Sequence, residues 1–401
     1  MTQFSPLLDI QEHNRTRTGE EFRRMSDMKK LHILVMSSSW QAALACIQSY
    51  GRRGHTVSIL PTPAYSPNDS SVYVKNKCTL PGTRIDEWAG ELLRLVERMG
   101  IDLVIPISDV DAAIVATAKQ LTQNGKAFIV SSPDAIAVTR SRNRTVELCK
   151  TLGIDTPKTL FVTHETAAEA ARNLGYPCFL KLSGSVASYG VFRISGEAEL
   201  AKRLETIPRH AEMQIQEMID SDVFGVTGFA LDGNVQETFA FRRENIEIRP
   251  GTAGYITRVA DARLDDMLSK IAIGLRWSGG IDLDLLQRSD GTYLLMEINP
   301  RFSGTTVFPL KLGIDLPMYY AHALTGTDTR PRFECKKPNA ERFIILLEET
   351  RYLRSAGAVG RKHSLQFRAE NNWIDNSFWD DTGYSSALFE ITRRWLLYAK
   401  K

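Results

Sequence analysis

The stretch that decides the fold is Gly279–Gly304, GGIDLDLLQRSDGTYLLMEINPRFSG. Its two apolar arms have the alternation of paired strands, and Ser289, Asp290 and Gly291 supply the turn between them. Side chains along a strand point to opposite faces in turn. Asp282 and Asp284 therefore share one face of the first arm, and Glu297 and Asn299 share one face of the second. Four oxygen-bearing side chains converge on one place. Burying an unpaired carboxylate costs several kcal/mol, so each acid here needs a partner. A divalent cation is one such partner, and carboxylate and amide oxygens suit magnesium. Arginines at a sheet edge are another, and the spacing leaves both open.

Working outward, Pro177–Ile194 reads PCFLKLSGSVASYGVFRI, a strand ending in Lys181, a small-residue turn and a second strand. Ser183, Gly184, Ser185, Ser188 and Gly190 offer backbone N–H groups and hydroxyls to phosphate oxygens, with Lys181 as a point charge. The same composition also suits an exposed hairpin loop. Downstream, MQIQEMI forms a further strand, and FGVTGFALDGNVQETFAFRR reads as a hairpin turning at Asp232–Gly233. A helix is expected at about Asp265–Trp277. The segment Glu237–Val259 carries Arg242, Arg243, Arg249 and Arg258 among glycines and aromatics. The planar fork of arginine matches carboxylates, so this is the candidate region for an acidic substrate; solvated strand arginines are the alternative.

Toward the N-terminus, LHILVM is a buried parallel strand, followed by a helical AALACIQSYGRRGH and the strand TVSIL. Helices near Asp86–Met99 and Asp111–Gln123 and the strands DLVIPIS and AFIVSS continue the alternation. They give an α/β domain with a doubly wound parallel sheet over residues 31–135. Its first turn, SSSWQAAL, lacks GxGxxG and the P-loop, so no dinucleotide or P-loop site is encoded there. Residues 1–30 are polar and expected to be a flexible arm. A helix around Arg140–Leu152 and the boundary GIDTPKT open the second unit, residues 136–330. Residues 331–401 form a C-terminal appendage.

LLMEINPRFSG resembles the last strand and following turn of the ATP-grasp superfamily, carboxylate–amine ligase type, whose relatives include the carbamoyl phosphate synthetases and biotin carboxylases. The resemblance runs from about residue 31 to 330. It implies that Glu297 and Asn299 bind magnesium, that Asp284 (or Asp282) is the preceding acidic ligand, and that Arg301 faces the γ-phosphate. PCFLKLSGSVASYGVFRI is similar to the family's lid, about residues 156–213, with Lys181 as the phosphate lysine and Ser183, Ser185, Ser188 and Gly190 closing over the triphosphate. MQIQEMIDSDVFGV resembles the adenine hinge. Gln216, Glu217, Met218 and Ile219 would supply its hydrogen bonds and Asp222 would hold the ribose, a turn-forming aspartate being the other reading. Arg142 occupies the place of a phosphate-binding cation, with Arg140 and Arg144 as rivals.

The implied activity is an ADP-forming ligase that uses ATP and Mg2+, with Mn2+ as a substitute. It would phosphorylate a carboxylate and pass the acyl group to an amine, both small molecules and amino-acid-like. Lys181, Arg249 and Arg301 would assist the chemistry; Arg242, Arg243, Arg249, Ser303 and Gly304 would hold substrate. Bicarbonate chemistry and non-catalytic ATP binding are the alternatives. With 50 Lys+Arg against 47 Asp+Glu the charge is too balanced to suggest a nucleic-acid partner. No apolar run is long enough for a membrane span. Five scattered cysteines without a CxxC pair suit a cytoplasmic protein rather than a disulfide framework or zinc site. A homodimer is compatible with all of this.

Overall fold

A computed structural model describes residues 29–37, 41–62, 66–182, 190–244, 254–327, 330–333, 335, 337–369, 372–378 and 380–397. The first domain is a parallel sheet of β1 (His32–Val35), β2 (Thr56–Ile59), β3 (Val74–Lys77) and β4 (Leu103–Ile105), in the order β3-β2-β1-β4. Crossovers run through α1 (Gln41–Arg52) and α2 (Ile85–Met99), and α3 (Asp109–Leu121) follows β4. The apolar strands are buried because parallel sheets need cover on both faces. A capping box starts α3: Ser108 Oγ accepts the Asp111 amide, and the Asp111 carboxylate accepts the Ser108 amide. This fixes Asp109, in the first turn, at the carboxyl end of the sheet.

The expected strand over Ala127–Ser132 is not one. Gly125–Ala127 is a 3-10 turn and residues 128–132 are irregular; the Ser131 hydroxyl donates to the Ser278 carbonyl and accepts the Ser278 amide, at the head of the next domain. The expected helix around Arg140–Leu152 is two helices, α4 (Pro133–Arg140) and α5 (Arg142–Leu152). Ser141 separates them, its hydroxyl accepting the Arg144 amide as an N-cap.

The region expected to be the lid holds an antiparallel sheet of β5 (Thr159–Val162), β6 (Cys178–Leu182), β7 (Val191–Ile194) and β8 (Met213–Glu217), ordered β5-β8-β6-β7. Helices α6 (Ala167–Leu174) and α7 (Glu197–Leu204) cover its apolar face, burying Leu180, Ile194 and Ile215.

The central sheet holds β9 (Val223–Leu231), β10 (Asn234–Arg243), β11 (Tyr255–Arg258), β12 (Gly279–Gln287), β13 (Tyr293–Asn299), β14 (Arg342–Ile344) and β15 (Trp373–Asp375), ordered β13-β12-β9-β10-β11-β14-β15. Asp232 and Gly233 both have positive φ, 49° and 86°, giving the tight turn between β9 and β10. On one face α8 (Ala262–Leu275) packs Leu264, Leu268 and Ile271 onto Val226, Ile281, Leu283 and Leu285. On the other, Phe239 and Phe241 meet Leu44 of α1 and Phe308 of α9 (Val307–Lys311). The residues after 330 are built into this sheet through β14 and β15, with α11 (Leu346–Ala369) and α12 (Thr382–Leu397) behind them and α10 (Met318–Thr325) before them. Among the described residues no helix is long and apolar enough to cross a membrane.

Candidate active site

Strands β12 and β13 pair antiparallel, with Asp282 opposite Asn299 and Asp284 opposite Glu297. Cross-strand partners share a face, so the four side chains lie together on the side away from α8. A bulge follows Asp284, after which the apolar pairing of Leu285 with Leu295 resumes. Asn299 Nδ2 reaches Asp282 Oδ2 at 3.4 Å and Asp284 Oδ2 at 3.5 Å.

Four cations surround these groups. Arg243 Nη1 donates to Asp284 Oδ1 at 2.7 Å, and its Nη2 lies 3.9 Å from Asp282 Oδ2. Arg301 donates to Asn299 Oδ1 at 2.8 Å and to Asp109 Oδ1 at 3.1 Å, joining the first domain to the central sheet. Arg142, at the start of α5, donates to the Leu182 carbonyl at the end of β6. Burial, with help from Arg142, pushes the Lys181 ammonium down to about 8 against the pull of Glu297. The neighbouring Asn143 accepts from Gln214 Nε2 at 2.8 Å, so both first-turn side chains of α5 are tied to the lid sheet.

A glycine permits the Arg243 contact. Gly225 of β9 lies between Asp284 and Phe241 in the sheet register, and a Cβ on it would stand 2.3 Å from Phe241 Cζ. The Phe241 ring fills that gap and carries the Arg243 guanidinium 5.1 Å from its centroid.

The electrostatics suit a divalent cation with a polyanion. Asp282 is fully buried; desolvation and then the charge of Asp284 hold its carboxyl above the usual range, against Arg243. The Ser303 hydroxyl steadies its ionised form, yet buried Oδ1 lacks a well-formed hydrogen bond. Burial and then Asp284 likewise raise Glu297, with Arg142 and Arg301 opposing. Excess negative charge on the strands is what a metal relieves, and the cations at the rim are what phosphates want. Among the described residues no three carboxylate, imidazole or thiol groups converge closely enough to hold a metal alone. The donor set therefore fits an ion that shares its shell with phosphate oxygens and water, the usual condition of magnesium.

No family model matches the chain. It is 26% identical over 258 residues to the carbamoyl phosphate synthase large chain of Methanoculleus marisnigri, covering 60% of this chain and 23% of that one. The chain thus spans about a quarter of the length of the curated relatives it matches. Among solved structures, the L-amino acid ligase of Bacillus licheniformis superposes with TM-score 0.61 at 16% identity, over 76% of this chain and 78% of that one. The biotin carboxylase domain of Hydrogenobacter thermophilus 2-oxoglutarate carboxylase, solved with MgADP and bicarbonate, also gives 0.61, at 15% identity over 77% and 73%. The chain has the ATP-grasp fold.

Within this ATP-grasp frame the remaining expected residues fall as follows. Of the three arginines near the second boundary, Arg142 faces Lys181 and Glu297, while Arg140 and Arg144 are exposed. Gly190 closes the β6–β7 connection, its carbonyl accepting the Leu182 amide. Ser183, Ser185, Ser188 and Arg249 lie outside the described residues. At the hinge, the Glu217 amide donates to the Lys158 carbonyl, so it is not available to a ligand. Gln216 is likewise inside the ladder, opposite Thr159 and Phe179; only Met218 and Ile219 follow the strand end. The Glu217 carboxylate ties the hinge to the β12–β13 hairpin by accepting from Arg288. Arg242, one step along β10 from Arg243, projects from the opposite face, where it pairs with Asp222 at 3.7 Å. Ser303 caps the 3-10 turn Gly304–Thr306, and Gly304 abuts Gln41 of α1.

Asp109 is the residue that sequence reading passed over. It follows the strand DLVIPIS directly, but nothing local marks Asp109 as the partner of an arginine 192 positions away. Its charge also acts on Glu297.

Proposed function

We propose that the chain is an ATP- and Mg2+-dependent ligase that phosphorylates a carboxylate and transfers the acyl group to an amine, releasing ADP and phosphate. The supporting observation is the facing of Asp284, Glu297 and Asn299 by Lys181, Arg142, Arg301 and Arg243 between lid and central sheet. Asp284, Glu297 and Asn299 would hold the metal, whose chemistry there would be to offset the charge of the phosphates. Lys181 and Arg142 would neutralise the moving phosphoryl group from the lid side, and Arg301, fixed by Asp109, from the other. The backbone at Met218 and Ile219 would receive the adenine, with Asp222 near the ribose.

A carboxylate is a poor electrophile because its leaving group would be oxide. Transfer of the γ-phosphoryl group to a carboxylate oxygen leaves ADP and gives a mixed anhydride. An amine then attacks the carbonyl carbon, the C–N bond forms, and phosphate departs with the C–O pair as the amine loses its proton. The lid loop over residues 183–190 would exclude water from that anhydride. Arg243 and Arg249 are the candidates to receive an acidic substrate, together with Ser303 and Gly304.

A second reading uses bicarbonate as the acid, favoured by the similarity to carbamoyl phosphate synthase and to a biotin carboxylase solved with bicarbonate. Both readings are tested by measuring ADP release with Mg2+ against a library of amino acids and small acids, with labelled bicarbonate in parallel. Product mass spectrometry distinguishes an amide from a carboxylated or carbamoyl product. Binding of ATP with no acid-dependent ADP release would leave neither ligase reading standing.

A further inference from the structure

A cavity of about 330 Å³ lies away from the proposed nucleotide site. It is at the lower end of the range of roughly 300–1,000 Å³ in which small molecules bind. Three parts of the chain build it: Arg52 at the end of α1, Lys311 at the end of α9, and Phe333, Lys337, Trp373 and Phe378 from the residues after 330. Helix α1 sets the separation. Its first residue, Gln41, abuts Gly304 beside the active site, and its last, Arg52, lines the cavity, about 18 Å along the helix for 12 residues.

The lining alternates cations with aromatic faces. Lys311 Nζ sits 4.0 Å from the Phe378 centroid, Arg52 5.4 Å from both Phe378 and Phe333, and Lys337 Nζ 5.5 Å from Trp373. Two acids share the lining with the three cations: Asp380 pairs with Arg52 at 2.5 Å, and Asp375 accepts the Ser377 amide at 2.8 Å, which leaves the lining with an excess of positive charge. Lys337 Nζ donates to the Trp373 carbonyl at 3.3 Å. Positive charge facing the cavity asks for an anion, and the ring faces ask for a flat apolar body.

We propose that this cavity binds a small aromatic anion, a ring bearing one phosphate or carboxylate group. The site is independent of the ligase reading. The test is isothermal titration of the full chain with saturating ADP present, using phenyl phosphate and benzoate, and inorganic phosphate and phenol as the half-probes. Phenyl phosphate or benzoate should bind saturably and about tenfold or more tighter than either half-probe, and the stronger of the two identifies the anion. Lys337→Ala and Trp373→Leu should each weaken it about 3- to 10-fold, Lys337→Arg should retain it, and Glu297→Gln, in the nucleotide site, should leave it unchanged. Circular dichroism of each variant separates misfolding from loss of binding. Absence of saturable binding by both ring-bearing probes, or binding that folded Lys337→Ala and Trp373→Leu variants leave unaltered, would overturn the proposal.

Discussion

Arg243 shows how one side chain serves two states of a site. Without a divalent ion its guanidinium is the counter-charge for Asp284 and, at longer range, for buried Asp282. Replacing it with methionine strands both carboxylates, a class of change that costs about 3–5 kcal/mol. We expect a loss of that size for Arg243→Met in urea denaturation without divalent ions, and a clearly smaller one in saturating Mg2+. An identical loss in both conditions would remove the aspartates as metal ligands. Lys181 gives a pH prediction. Its ammonium, held down to about 8, is charged below that value and neutral above it, whereas an ordinary lysine stays charged to 10.5. ATP affinity should therefore weaken as pH rises through about 8, and Lys181→Arg should flatten that fall because guanidinium does not titrate there. Glu297→Gln should cut ADP formation at least ~10²-fold while leaving the denaturation midpoint within the range of surface variants.

At the scale of elements, the β12–β13 hairpin was legible because carboxylates at alternate positions of apolar strands have few explanations. Its Asp-Gly turn and the β9–β10 turn follow standard chemistry, and the observed register unites the four oxygen donors. Three things were not legible. The partner of Asp284 is Arg243, two strands away in the sheet, and only the pairing through Gly225 brings them together. The side chain of Arg242 could not be assigned a face until the register of β10 was known. The segment 127–132 has strand composition but forms no strand; within it the Ser131 hydroxyl bridges to the Ser278 backbone, a tertiary contact. Gly225→Ala tests the packing directly: the added methyl must displace the Phe241 ring, with a cost of about 1–3 kcal/mol in denaturation and a weakened Arg243 contact. An unchanged midpoint would mean that the ring has room to move.

At the scale of the molecule, the alternation of strands and helices made the first domain readable, and ordered motifs made the ATP-grasp unit readable. The residues after 330 read as an appendage because their strands are three residues long and carry no periodicity. They nevertheless cover the open edge of β11, and Glu349 of α11 accepts hydrogen bonds from Tyr255 of β11 and from Ser364 and Arg368. Removing residues 331–401 should expose a long sheet edge and yield an aggregating chain, seen as loss of the monodisperse peak in size-exclusion chromatography. A well-behaved truncated chain would show that β14 and β15 are dispensable.

The whole account depends on divalent ions held between nucleotide phosphates and the β12–β13 carboxylates. Anomalous diffraction from crystals grown with ADP and Mn2+ tests this most directly. It should place a manganese peak at ligand distance, about 2.0–2.3 Å, from oxygens of Asp284, Glu297 and Asn299 and next to the diphosphate. A nucleotide bound with its metal away from all three side chains would contradict it.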